Sequence, residues 1–150
     1  MSRKYAQGTS VDVDKTLGEI KRTVMRFGAT AFASMEDQVE QRIGFEIRGM
    51  QIQMRVPVPK REEFRLTDSG RKRTESSAFN EWESECKRRM RSLSAVIKAK
   101  LIAIDDKVAT IEQEFLPYIV LPNGSTIGDM LIPNLPALSS GTLALPSGAR

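Results

Sequence analysis

The chain has 150 residues, 40% of them hydrophobic, with 23 Lys and Arg against 19 Asp and Glu, no His and one Cys. That length and apolar content give one modest domain with a core, too short for two; the missing imidazole excludes Ser-His-Asp and Cys-His catalysis, and a single thiol excludes a sulfur or imidazole zinc site and an internal disulfide. The charge is steeply uneven: residues 51–100 hold thirteen bases and seven acids, net +6, while residues 101–150 are net −3, and clustered cations draw polyanions as a dispersed net +4 does not.

Residues 1–9 are polar and expected to be flexible, leading into a short extended stretch, Ser10 to Val13. Thr16 and Glu19 have capping-box spacing, which predicts a helix whose apolar residues Leu17, Ile20, Val24 and Phe27 recur at steps of three and four, with Gly28 as a left-handed C-cap. The N-terminus lacks the apolar stretch of a signal peptide and no apolar run approaches the roughly 20 residues that span a bilayer, so the expectation is a cytoplasmic protein with no membrane partner.

An antiparallel meander follows: a strand at Thr30–Met35, a polar turn at Glu36–Glu40, and a hairpin over Gln41–Arg55 closed by Arg48-Gly49. With that two-residue loop, paired residues sum to 97. Phe45 then faces Ile52, Ile43 faces Met54 and Ile47 faces Met50 on the apolar side, while Glu46 faces Gln51 and Arg42 faces Arg55 on the other. A one-residue slip destroys the agreement. Arg48 is the unusual choice, at a position that favours positive φ. The outer face has two readings, a solvated surface with Glu46 offsetting Arg42 and Arg55, or a basic, amide-rich platform for a phosphate backbone.

From Pro57 to Thr74 periodicity disappears. The segment carries Lys60, Arg61, Arg65, Arg71, Lys72 and Arg73, buries too little to offset its ordering entropy, and is expected to be a mobile basic loop that orders on a polyanion or serves as a solvated linker. Phe64 is the candidate stacking residue within it.

A long amphipathic helix should run from about Glu75 to Ile104. Phe79, Trp82, Cys86, Met90, Leu93, Ile97, Leu101 and Ile104 form a seven-residue repeat, read as a core or helix-pairing seam that one chain or a second copy can satisfy. Lys87, Arg88, Arg91 and Lys98 lie off this stripe and are candidate nucleic-acid contacts; acids early and bases late also suit the helix dipole. A short helix at Thr110–Phe115, an extended Tyr118–Leu121, an Asn123-Gly124 turn, and a short helix capped by Thr126 and Asp129 and ended by Pro133 complete an α+β domain over residues 10–136. A disordered tail is expected over residues 137–150.

For catalysis only carboxylates with magnesium remain open: Glu36 with Asp37, Glu46, Asp105 with Asp106, or Glu112 with Glu114. No cofactor is expected and no catalytic residue is assigned, a nuclease using Glu46 with Glu112 or Glu114 being the weakest reading.

Three stretches, Gly8-Thr9-Ser10-Val11 through Glu19-Ile20 to Phe27-Gly28-Ala29-Thr30, Val96 to Leu101, and Glu114 to Gly124, resemble a widespread family of small, functionally uncharacterised proteins of tailed bacteriophages and prophages. The resemblance covers most of residues 5–131 and implies a phage or prophage origin, a bacterial cytoplasm and a place among replication or recombination functions. Charge and resemblance together lead to a non-enzymatic nucleic-acid-binding accessory protein, with single-stranded DNA favoured and RNA open. The alternative is a protein that binds and inhibits a host protein complex.

Overall fold

The computed structural model describes residues 2–139 and 141, with side chains from Val13 onward. Its chain order is α1 (Ser2–Arg26), β1 (Ala29–Glu36), β2 (Glu40–Ile47), β3 (Met50–Pro57), a 3₁₀ turn (Arg61–Phe64), α2 (Glu75–Asp105), α3 (Ile111–Phe115), α4 (Ile127–Leu131) and α5 (Leu135–Leu138). This is the α+β arrangement read from the sequence: an N-terminal helix, a three-stranded antiparallel sheet in the order β1-β2-β3, a long helix and short C-terminal helices.

The helix predicted to open at Thr16 opens at Ser2, through the stretch expected to be loose and extended. Thr16 is buried in its interior, between Val13 and Ile20 on the face turned to the core, so the Thr16–Glu19 spacing is not a cap. The physical reason is that the 3–4 stripe begins at Val13, and a start at Thr16 would abandon that contact together with a turn of backbone hydrogen bonds. At the other end Gly28, with φ 104°, closes the helix by donating its N–H to the Met25 carbonyl at 3.1 Å.

Every predicted pair of the β2–β3 hairpin is present, from Arg42 opposite Arg55 to Ile47 opposite Met50. Arg48 and Gly49 both have positive φ, 49° and 75°, the mirror-image turn whose twist matches the flanking strands. Strand β3 is not a bare edge. Val120 donates its N–H to the Gln51 carbonyl at 2.8 Å and Ile119 bridges Ile52, so the extended segment before α4 covers it.

One core lies between the sheet and the helices. Ile20 and Val24 of α1, Ile43, Phe45 and Ile52 of the sheet, and Met90, Ile97 and Leu101 of α2 are buried there. Phe115 of α3 closes one end, fully buried and edge-on to Phe45 at 5.7 Å between ring centres. Both C-terminal caps follow the sequence chemistry: Thr110 with Gln113, and Thr126 with Asp129, each exchange side-chain and backbone bonds. Gly128 lets α4 sit on the preceding chain, since a Cβ there would meet the Pro117 carbonyl at 2.7 Å. The domain limit expected at residue 136 falls inside α5, and of the tail expected over residues 137–150 all but 137–139 and 141 lie outside the described residues. No helix among the described residues is long and apolar enough to cross a membrane.

The seven-residue stripe of α2 divides in two. From Met90 to Leu101 it is buried within the chain, whereas Phe79, Trp82 and Cys86 remain partly exposed. The reading of one continuous seam is therefore corrected for the first three turns. Ser76, Ser77, Asn80 and Glu81 make those turns too polar to be enclosed, and there α2 meets the basic loop through Trp82.

Candidate functional site

The segment between β3 and α2 has little to bury, as its composition implies, yet it folds back on α2 through local hydrogen bonds. Val58 donates its N–H to Val39, and the Trp82 Nε1–H donates to the Pro59 carbonyl at 2.7 Å, which pins the start of the segment. The 3₁₀ turn Arg61–Phe64 has no buried residue. Beyond it, Leu66 and Lys72 form a bridge, and the turn between them is closed by the Thr67 N–H on the Arg71 carbonyl and the Gly70 N–H on the Thr67 carbonyl, with Gly70 at φ 83°. Arg73 ties this small hairpin together: its backbone N–H reaches Arg65, and its Nη1 donates to the Leu66 and Phe64 carbonyls at 2.9 and 3.3 Å.

This hairpin and the first two turns of α2 enclose an open cleft of about 490 Å³. Arg61, Arg65, Lys72 and Arg73 line one side; Phe79 and Trp82 line the other, and Glu75 is the carboxylate among the lining residues. The Arg61 guanidinium lies over both rings, 4.4 Å from the centre of Trp82 and 5.2 Å from that of Phe79, and the rings themselves are 5.8 Å apart. Such cation–π contacts hold a cation in place without neutralising it. The N-terminus of the 31-residue α2 opens into the same region, capped by Thr74 Oγ1, which accepts from the Ser77 N–H at 3.2 Å. Its backbone dipole adds partial positive charge to that of the four side chains.

The other candidate cations are distributed differently. On the sheet, Arg42 is paired with Asp37 at 3.6 Å and with Glu40, and Arg55 holds Asp129 in a fork at 3.2 and 3.0 Å. The expected compensating role of Glu46 is corrected: it faces Gln51 and accepts from Thr30, while acids from a turn and from α4 do the offsetting. Along α2, Lys87 pairs with Glu83, and Arg88 pairs with Glu85. Arg91 and Lys98 are exposed without a carboxylate partner among the described residues, on turns of α2 beyond the cleft. Lys60 and Arg71 are exposed beside the cleft, one before the 3₁₀ turn and one in the hairpin turn.

Phe64 does not line the cleft. It borders a neighbouring groove of about 430 Å³ whose lining mixes Arg73, Arg88 and Arg91 with Glu63, Asp68, Glu81 and Glu85. The aromatic residues that line the cleft itself are Phe79 and Trp82, which the sequence assigns to the seam. Helical spacing is the same for a ring entering a core and one lining a cleft, so periodicity could not separate them; the polar residues that flank both rings were the available signal.

The open carboxylates do not assemble. Among the described residues no three or more acidic, His or Cys side chains are grouped to hold a metal ion. Asp37 is held below the usual carboxylate range by the backbone N–H groups of Glu40 and Val39, and Asp129 by the N–H of Thr126 and by Arg55. Glu36 is raised by burial and by nearby Asp14, and Glu114 accepts from Lys100 at 3.3 Å. The Cys86 thiol is pushed up to about 11 by burial, so it is a protonated, weakly nucleophilic group. No family model, curated protein or solved structure matches this chain.

Proposed function

We propose that this is a phage-encoded, non-enzymatic nucleic-acid-binding accessory protein of DNA replication or recombination, working in the bacterial cytoplasm. The observation that carries the binding reading is the cleft, where Arg61, Arg65, Lys72 and Arg73 stand beside one lining carboxylate at the start of a long helix. Four cations and a helix N-terminus around one opening suit phosphate oxygens. The phage setting is supported by the sequence resemblance at Phe27-Gly28-Ala29-Thr30 and Glu114 to Gly124. Contacts go chiefly to phosphates, the groups that a cluster of cations meets whatever the sequence.

The test is a salt titration of binding to single-stranded DNA, duplex DNA and RNA oligonucleotides. If roughly three to four phosphates are engaged, the logarithmic slope for a single strand is about −2 to −3. Unchanged mobility of all three at low salt with micromolar protein overturns the reading.

A second reading, a protein that binds and inhibits a host complex, is favoured by a separate observation. Met130, Ile132, Leu135 and Leu138 on the C-terminal turns are 54%, 59%, 46% and 65% exposed, an apolar run outside the core. Capture of a host partner that survives nuclease treatment and is lost on Ile132→Glu with Leu135→Glu supports this reading over the first.

A further inference from the structure

We propose that the cleft recognises the unpaired bases of a single strand, by stacking a base on the Arg61 guanidinium. The inference rests on the nucleic-acid reading above and names its substrate class. Arg61 differs from its neighbours in what lies beneath it. Arg65 is an exposed cation 4.0 Å from Glu62, and Arg73 spends its guanidinium on two backbone carbonyls. Arg61 has no carboxylate partner among the described residues and lies instead on Trp82 and Phe79. The indole is itself fixed, because its Nε1–H is bonded to the Pro59 carbonyl, and Pro59 is buried.

A guanidinium resting on a fixed aromatic layer is a preformed plate. It is planar and weakly hydrated, and its outer side, exposed to the cleft, takes the π-face of a base as an aromatic ring does. Its in-plane N–H groups remain free for a phosphate oxygen. Lys72 and Arg65 at the rim then position the phosphates on either side. A cleft of about 490 Å³ has the volume of a small-ligand site, suited to a nucleotide unit. A duplex keeps its base faces stacked on one another, so this contact is closed to it. The preference for single strands thus follows from the Arg61–Trp82 layer, whereas phosphate contacts alone favour the denser charge of a duplex.

The test uses the full chain and two strands of equal length and charge, oligodeoxythymidylate and an abasic deoxyribose-phosphate strand, with duplex DNA as a third probe. The wild type is expected to bind oligodeoxythymidylate roughly tenfold or more tighter than the abasic strand. Arg61→Lys keeps the charge and removes the plate. The ratio of the two affinities reads the plate apart from any phosphate contact that both strands share, and in Arg61→Lys it should fall from roughly tenfold or more to about twofold or less. The residue sits on an exposed turn, and an unchanged circular dichroism spectrum and urea midpoint show that the variant is folded. Equal affinity of the wild type for both strands overturns the stacking proposal and leaves phosphate binding standing; a base advantage that persists in Arg61→Lys overturns it as well. Failure of both strands to bind at about 50 mM salt overturns the nucleic-acid reading, and the stacking proposal with it.

Discussion

The sheet's outer face and the cleft carry the same kind of residue and use it in opposite ways. Arg42 and Arg55 lie directly opposite one another across β2 and β3, an arrangement that repels unless offset. Each has an acid in reach, Asp37 and Glu40 for one and Asp129 for the other, so neither arginine is left uncompensated. In the cleft, Arg61 rests on aromatic rings, Arg73 on carbonyls, and Lys72 has no acidic partner among the described residues, while Arg65 has only the exposed Glu62 at 4.0 Å. Neither rings nor carbonyls cancel charge. The difference teaches that a basic sequence becomes a binding surface only where its cations are held by neutral groups.

The most severe way to sharpen that contrast is to remove cations from each region in turn. Arg61→Ala with Arg65→Ala and Lys72→Ala should weaken binding to a single strand by roughly 100-fold at low salt, three charge-assisted contacts being lost. Arg42→Ala with Arg55→Ala should change it by less than about twofold; fluorescence anisotropy with a labelled oligonucleotide measures both. Equal losses would erase the distinction between the regions.

Cys86 stands where α2 passes from the cleft into the core, and it reports how closed that boundary is. With its thiol at about 11 against an ordinary value of 9.0, the thiolate fraction at pH 8 falls by roughly 100-fold. Alkylation by iodoacetamide should be slower in the folded protein than in urea by roughly tenfold or more, the higher nucleophilicity of a thiolate of raised pKa offsetting part of the lost fraction. Labelling as fast as in urea would mean that the helix is open there.

A smaller effect runs the other way. Asp129→Ala frees Arg55 and should raise single-strand affinity about twofold, turning part of the sheet into a weak binding face. It also removes half of the α4 capping box and a surface ion pair, so the urea midpoint should fall slightly. The smallest effect is on pH dependence. Asp37 and Asp129 are held below their ordinary range in the folded state, so their stabilisation is present above the unfolded value of about 3.9 and lost as pH falls through the folded values. Urea midpoints between about pH 6 and 3 should fall less steeply for Asp129→Asn, which keeps a capping oxygen and has no charge to lose.

The paired arginines of the sheet also mark where sequence reading stopped. Alternation of apolar and polar residues over Ile43–Met54, with a two-residue loop, set the hairpin register by itself, because a strand has a period of two and a slip reverses every side chain. Which acids meet its arginines was not legible, since Asp129 lies 74 residues from Arg55 and no local pattern records the pairing. The hairpin of Leu66–Lys72 was equally hidden. It is held by one bridge, the Thr67 hydroxyl and the positive φ of Gly70, none of which leaves an apolar period. Thr16 misled for the converse reason: a buried hydroxyl on a helix face and a cap share the same spacing to Glu19. Six of the candidate contacts, Lys60, Arg61, Arg65, Arg71, Lys72 and Arg73, do gather at or beside one cleft, since contiguity along the chain kept them together. The aromatic floor beneath them came from a different element and from a pattern that reads as core.

The chain has a single Trp, and Trp82 forms that floor. Its emission therefore reports binding at this cleft and nowhere else. Titration with oligodeoxythymidylate at low salt should produce a saturable change in Trp82 fluorescence, with a midpoint that matches anisotropy on the same complex and moves to higher concentration as salt is added. Binding seen by anisotropy while Trp82 emission stays constant would place the nucleic acid elsewhere on the protein and contradict the account.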